Sequence, residues 1–159
     1  MADKNSFIQS VNTGYTFKGE SFVVGAAILN GEVLSEALVR LPLKTLNRHG
    51  LIAGATGTGK TKTLQVIAEG LSNASVPVMV MDIKGDFSGI AEQGSLNDKI
   101  KERYGKMALE YVPGSFPVEL MSLSEEKGVR LRATVSEFGP VLISKILGLN
   151  DTQQGLVAL

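Results

Sequence analysis

One glycine-rich stretch constrains this chain more than any other feature. It spans residues 54–61 and satisfies the spacing G-x-x-x-x-G-K-[ST] at every fixed position. Its members are Gly54, Ala55, Thr56, Gly57, Thr58, Gly59, Lys60 and Thr61. The apolar residues 51–53 can form a buried strand before it, and residues 61–71 carry apolar side chains at helical spacing after it. A strand, a glycine-rich turn and a helix in this order predict a loop that cradles phosphate groups.

The chemistry of such a loop follows from its backbone. Glycine permits positive φ and lets the main chain approach a ligand, so that successive N–H groups form an anion-binding concavity. The first helical turn adds unpaired N–H groups and the positive end of the helix dipole. We predict that residues 54–62 bind a nucleotide, with Lys60 reaching its phosphates and Lys62 beside it. The Thr61 hydroxyl is predicted to ligate Mg²⁺.

Composition narrows the class of protein. Hydrophobic residues make up 43% and charged residues 20% of the 159 residues, which is typical of a globular chain. Basic and acidic residues balance at 16 each, so net charge gives no support to nucleic-acid binding. The lack of cysteine excludes thiolate metal sites, and the single histidine excludes a multi-histidine site. The sequence shows neither a signal-peptide core nor a membrane-spanning run, which predicts a cytoplasmic location without membrane contact.

The residues before the loop predict a small antiparallel β unit. Residues 1–13 are interpreted as a polar lead-in, and short β patterns fill residues 14–43. Asn30-Gly31 lies between two of these patterns and is a strong hairpin signal. Residues 44–159 are then expected to be the front part of a P-loop domain, truncated at the C-terminus.

A second apolar run follows the loop and its helix. Residues 78–82 are apolar until they end in Asp82, which suits a parallel strand covered on both faces. Residues 50–82 therefore predict a βαβ unit, with residues 109–112 as a third strand. Asp82 has three interpretations: the acid associated with Mg²⁺, the end of a neighbouring strand while that acid lies past Leu159, or a structural residue. The lack of a glutamate directly after Asp82 favours the second.

Several single residues are weaker candidates. Lys84 and Asp86 are turn residues or border the nucleotide cleft. Arg130 and Arg132 lie on a solvated strand face or act as arginine fingers on a neighbouring subunit, and the first interpretation is favoured. His49 is interpreted as a loop residue without a role.

The later part of the chain predicts helices. Ser95 can cap one helix, and Thr134 opens a capping-box spacing for another. That second helix is expected to bend at Pro140 and to stop at Gly148. A further helix begins at Asp151. A core of two or three parallel strands is small for a nucleotide-binding sheet, so we expect a longer protein, the alternative being a short chain whose last helix docks as written.

Two separated blocks of the sequence resemble the FtsK/HerA superfamily. Residues 49–61, a histidine, an apolar strand and a G-x-T-G-x-G-K-[ST] loop, look like its P-loop segment. Residues 80–86 are similar to its next strand, which leads into Asp-x-Lys or Asp-x-x-Gly-[DE]. Residues 134–140 and 147–153 resemble a later block of a bacterial HerA-like group, and the resemblance covers most of residues 36–159.

This resemblance implies an α/β fold with a RecA-like P-loop NTPase core, its sheet incomplete here and preceded by the small β unit. It implies ATP and Mg²⁺ as cofactors, and a homo-oligomer, often a hexameric ring, that moves or processes DNA. It also implies that the Walker B acids and the arginine finger lie downstream, which moves Asp82 toward a strand end beside the nucleotide. In residues 1–35 we identify no family resemblance.

The leading hypothesis is therefore a HerA-like ATPase, a DNA helicase or translocase that depends on Lys60 as its catalytic residue. The alternative is a nucleotide-binding regulatory or interaction module without motor activity. A P-loop kinase ranks below both, because the sequence shows no arginine-rich lid segment.

Overall fold

The computed structural model describes residues 3–158, which form a mixed α/β chain. It contains two compact units, with the boundary between Val118 and Glu119. The elements of the first unit are α1 (Lys4–Gly14), β1 (Ser21–Leu29), β2 (Glu32–Pro42), a 3-10 turn (Leu43–Thr45), α2 (Lys60–Asn73), a second 3-10 turn (Ser88–Ala91) and α3 (Asp98–Lys106). The elements of the second unit are β3 (Met121–Ser122), β4 (Val129–Arg130), α4 (Val135–Leu147) and α5 (Asp151–Val157).

The predicted hairpin is confirmed. Strands β1 and β2 pair antiparallel, from Leu29 opposite Glu32 to Ser21 opposite Pro42. Asn30 and Gly31 both have positive φ, 51° and 83°, as a tight hairpin turn with right-handed strand twist requires. Leu34 and Ala37 of β2 are 2% and 0% exposed, and they are the most buried apolar residues of this hairpin. The β pattern predicted before residue 21 forms no strand.

Helix α1 was not predicted, although Phe7, Ile8 and Val11 lie at helical spacing within the segment interpreted as a polar lead-in. Its start is fixed by Asp3, whose carboxylate accepts a hydrogen bond from the Ser6 N–H at 3.3 Å. Helix α1 packs on β2, and the Lys4 ammonium lies 2.8 Å from the Glu32 carboxylate. The polar segment is therefore a helix that covers the hairpin.

Helix α2 lies against the hairpin through a glycine. A Cβ atom on Gly70 would come within 2.5 Å of the Phe22 ring of β1. Gln65 and Ala68, on one face of the same helix, are buried. The hairpin thus supports the helix that follows the glycine-rich stretch.

The strands predicted for a parallel core are not formed in residues 3–158. Residues 51–53, 78–82 and 109–112 have no regular secondary structure. Leu51 and Met81 are 89% and 85% exposed. A parallel strand obtains its hydrogen bonds from neighbouring strands, and the described residues bring none alongside these runs. The parallel pairing that does occur joins Met121 to Val129 and Ser122 to Arg130 in the second unit.

The helices of the second unit follow their sequence signals. Thr134 accepts a hydrogen bond from the Glu137 N–H and donates its own N–H to the Glu137 carboxylate, which confirms the capping box. The Thr134 N–H and the Thr134 hydroxyl both donate to the Glu137 carboxylate, and these two bonds hold the pKa of Glu137 below its ordinary value. Helix α4 is kinked at Gly139 (φ 65°), directly before Pro140, and ends at Gly148. Helix α5 begins at the predicted place.

One helix boundary differs from its prediction. Helix α3 is capped by Asn97, whose side chain accepts the Ile100 N–H at 2.9 Å, and not by Ser95. No helix within residues 3–158 has the length and apolar character needed to cross a membrane.

Candidate functional site

The glycine-rich stretch forms an exposed turn that runs into α2. Gly57 and Gly59 have positive φ, 81° and 95°, which is the conformation expected of them. Gly59 is the N-cap of α2, so the chain enters the helix from a left-handed conformation. A Cβ atom on Gly54 would lie 2.5 Å from the Thr58 hydroxyl. Three of the glycines in the stretch therefore have a steric reason to be glycine.

Hydrogen bonds within the stretch converge on one carbonyl. The Thr58 hydroxyl and the Lys60 ammonium each donate to the Ala55 carbonyl oxygen at 2.8 Å. Lys60 thus lies folded across the turn at the N-terminus of α2. An ammonium held there by a neutral carbonyl can exchange that partner for an anion, because a hydrogen bond between two charged groups is the stronger one.

The Thr61 hydroxyl faces Asp86 rather than Asp82. Its oxygen lies 3.4 Å from a carboxylate oxygen of Asp86. The Asp82 carboxylate instead accepts hydrogen bonds from the backbone N–H groups of Phe87 at 2.8 Å and Gly85 at 2.9 Å. The Phe87 N–H contributes most to holding the pKa of Asp82 below its ordinary value. Asp82 therefore shapes the turn that carries Asp86. The sequence suggested Asp86 as a turn residue or as one that borders the cleft.

A buried glutamine connects this turn to α2. Gln65 is 5% exposed, and its Nε2 lies 3.5 Å from the carbonyl oxygens of both Asp86 and Phe87. Its Oε1 accepts a hydrogen bond from the Lys62 ammonium at 2.7 Å. Gln65 was not among the residues predicted for the site, although a glutamine directly beside the apolar positions of a predicted helix was a visible signal. Lys62, predicted to bind nucleotide, has its ammonium on this glutamine.

The remaining sequence candidates lie elsewhere. Arg130 is exposed on β4, with its guanidinium 3.9 Å from the Glu125 carboxylate, and Arg132 is also exposed. These positions agree with a solvated face. His49 is exposed before the glycine-rich stretch.

The donor set beside α2 fits a hard cation. Thr61 offers a hydroxyl oxygen and Asp86 a carboxylate oxygen, both of the ligand type that Mg²⁺ prefers. Mg²⁺ in nucleotide sites takes one or two protein ligands and completes its shell with phosphates and water. Accordingly, residues 3–158 contain no cluster of three acidic, histidine or cysteine side chains that could hold a metal by themselves.

Comparison with known proteins identifies the family. A family model described as helicase HerA-like C-terminal matches residues 28–159. The match begins near the end of β1 and includes the glycine-rich stretch, the Asp82–Phe87 turn and both helices of the second unit. Neither a curated protein nor a solved structure matches the chain. Because the family model spans far more than half of its residues, the chain belongs to the helicase HerA-like C-terminal family.

Proposed function

We propose that this chain binds Mg-ATP at residues 54–62 and that ATP hydrolysis drives translocation or processing of DNA. The observation that carries the proposal is the pairing of the Thr61 hydroxyl with the Asp86 carboxylate at the N-terminus of α2. Lys60 lies one residue before Thr61, in the first turn of α2, where a helix terminus favours phosphate. Family membership supports the choice of ATP and DNA over other phosphate ligands.

Each side chain has a separate task in this proposal. The backbone N–H groups around Gly57 and Gly59 bind phosphate oxygens, and Lys60 leaves the Ala55 carbonyl to pair with the terminal phosphates. Thr61 and Asp86 would hold Mg²⁺, which neutralises charge on the phosphate oxygens when it is bound. We assign Lys60 the catalytic role, because charge on the transferred phosphoryl group is the main quantity to be stabilised.

Calorimetric titration with Mg-ATP tests the binding site. Lys60→Ala removes the ammonium that lies across the turn, and we expect the Kd for Mg-ATP to rise about tenfold to a hundredfold, since charged hydrogen bonds of this kind contribute about 1.5–3 kcal/mol. Lys44→Ala removes an exposed lysine from the 3-10 turn after β2, outside the glycine-rich stretch, and is the control. Equal affinities for the two variants would contradict the assignment of the site.

The motor is tested by measuring ATP hydrolysis with and without duplex DNA. We expect DNA to raise the rate and Lys60→Ala to abolish it, with sedimentation showing a homo-oligomer, a hexamer if the family resemblance holds, in the presence of Mg-ATP. An unchanged rate together with no DNA binding would reject the motor. Tight Mg-ATP binding with negligible turnover would select the nucleotide-binding module instead.

A further inference from the structure

Gln65 is a polar residue on the buried face of α2, where apolar packing alone would not require an amide. The side chain is buried, and a buried amide is stable only when its polar atoms have partners. It uses both ends at once: the oxygen accepts from Lys62, and the nitrogen points to two backbone carbonyls of the Asp82–Phe87 turn. Glutamate could only accept and methionine could do neither, so the amide is the group that suits this junction.

The same helix face presents Gln65 and Thr61 together. The two residues are four apart in α2 and are therefore neighbours on the helix surface. Gln65 contacts the main chain of Asp86, while Thr61 contacts its carboxylate. The next residue, Phe87, is 8% exposed, and its N–H is bonded to Asp82. Asp86 is thus fixed from the helix side, from its own side chain and from the residue that follows it.

We propose that Gln65 is a positioning residue of the nucleotide site, which holds the Asp86 carboxylate beside the Thr61 hydroxyl so that Asp86, not Asp82, faces the Mg²⁺ of a bound nucleotide. This inference rests on the proposed nucleotide site. Each oxygen of the Asp82 carboxylate already accepts a backbone N–H, and these bonds orient the carboxylate toward its own turn. Asp86 has its carboxylate on the only hydroxyl in the site that the P-loop spacing assigns to the metal.

The quantity that tests this is the gain in nucleotide affinity caused by Mg²⁺. The Kd for ADP is measured by calorimetry in excess Mg²⁺ and again in EDTA, and the ratio is the magnesium gain. Asp86→Asn should lower this gain about tenfold, and Gln65→Met, which keeps the side-chain length, should lower it by a smaller factor, as is usual for residues that orient metal ligands. In both variants the Kd in EDTA should stay within twofold of wild type. Glu92→Gln, at an exposed acid shortly after the turn, should leave both values unchanged.

Each alternative result has a definite meaning. A full magnesium gain in Asp86→Asn would overturn the assignment of the acid. Equal weakening of ADP in Mg²⁺ and EDTA by Gln65→Met would show that Gln65 only supports the fold, and would overturn its positioning role. If circular dichroism shows Gln65→Met unfolded, Gln65→Glu, which keeps the acceptor for Lys62 and loses the donor, takes its place with the same expectation.

A double variant tests whether Gln65 acts through Asp86. Because Gln65 is proposed to act through Asp86, Gln65→Met should lower the magnesium gain no further in an Asp86→Asn background, and an additive loss would contradict the proposal. A wild-type chain that binds ADP equally with and without Mg²⁺ would overturn this inference and the Mg²⁺ role of Thr61 and Asp86, while the phosphate-binding stretch itself would stand. A wild-type chain that binds no ADP in either condition would remove the nucleotide site itself, and the inference with it.

Discussion

The two ends of α2 show how one helix serves both the hairpin and the candidate site. Its C-terminal half is packed: Gly70 lies against Phe22, and Ala68 is 5% exposed. Its N-terminal end starts from Gly59 in a left-handed conformation and makes polar contacts with the turn of Asp86. Packing therefore determines where the helix lies, and hydrogen bonds determine what gathers at its start. Variants at the two ends should separate stability from binding.

The largest effect is expected at the packed end. In Gly70→Ala the new Cβ would meet the Phe22 ring at 2.5 Å, so the ring or the helix must shift. Overpacking of this kind costs about 1–3 kcal/mol, which outweighs the gain in helix propensity from alanine. The measurement is the free energy of unfolding from urea denaturation. ADP affinity of the folded protein should be nearly unchanged.

Gly105→Ala in α3 is the matched control, because a Cβ there meets nothing within 4 Å. It should stabilise the protein by up to about 1 kcal/mol, the ordinary preference of a helix for alanine over glycine. A Gly70→Ala protein as stable as Gly105→Ala would mean that α2 does not rest on Phe22.

The second effect belongs to the N-terminal end. Gly59→Ala places a Cβ on a residue with φ 95°, and left-handed backbone of this kind costs a non-glycine residue about 1–2 kcal/mol. Since few apolar contacts depend on this turn, we expect the turn to rearrange and ADP affinity to fall, while the unfolding free energy changes less than in Gly70→Ala. Gly50→Ala, at a glycine without positive φ and with open space around it, should alter neither quantity. If Gly59→Ala lowered the free energy of unfolding but left ADP affinity unchanged, the N-terminal end of α2 would serve stability rather than binding, and the distinction between the two ends would be wrong.

The difference between the ends also explains what the sequence could predict. Some signals carried by neighbouring residues were read correctly: Asn30-Gly31 closes the hairpin, and Thr134 caps α4, although Ser95 does not cap α3. Features made by residues distant in the chain were missed. Gln65 reaches the carbonyl of Asp86, 21 residues away, and spacing rules for apolar side chains do not register such a contact. Gly70 against Phe22 is a steric fit that only coordinates reveal.

The parallel strands that were predicted but not formed show a second limit of prediction from sequence. Residues 78–82 have the composition of a buried strand, yet the described structure leaves them unpaired, with Met79 78% exposed. Composition predicts that a run is suited to a sheet, whereas pairing also needs a partner at the right place. The RecA-like core therefore stays a proposal, and the helix and the glycine-rich stretch are the parts of the predicted site that the structure contains.

A smaller effect is expected from Glu69, at the packed end. Burial raises its pKa, and the nearby charge of Lys62 opposes this. An acid whose pKa is raised on folding stabilises the protonated protein, so this contribution is present at low pH and is lost as the pH rises through the folded-state pKa. Glu69→Gln should therefore be slightly more stable than wild type at pH 7, by less than about 1 kcal/mol for a partly solvated group, with the difference vanishing toward pH 4. Urea denaturation midpoints of both proteins, measured from pH 4 to pH 8, check this. A Glu69→Gln protein that is less stable than wild type at pH 7 would contradict it.

The smallest effect on stability is expected from Asp82, in the Asp82–Phe87 turn. Its pKa shift has the opposite direction to that of Glu69, so its pH dependence has the opposite sign. The backbone N–H groups, that of Phe87 first, lower the pKa of Asp82, so its contribution is present above the unfolded-state pKa and is lost as the pH falls through the lower folded-state pKa. The ordinary pKa of an aspartate is about 4, and that of Asp82 is lower. The Phe87 amide resonance should therefore shift only as the pH falls below about 4, because Asp82, its hydrogen-bond acceptor, is then protonated. The shift should be absent in Asp82→Asn and retained in Asp86→Asn, because Asp82 is the carboxylate bonded to that N–H. A Phe87 resonance that follows Asp86 instead would exchange the roles of the two acids, and the acid facing the metal would then be Asp82.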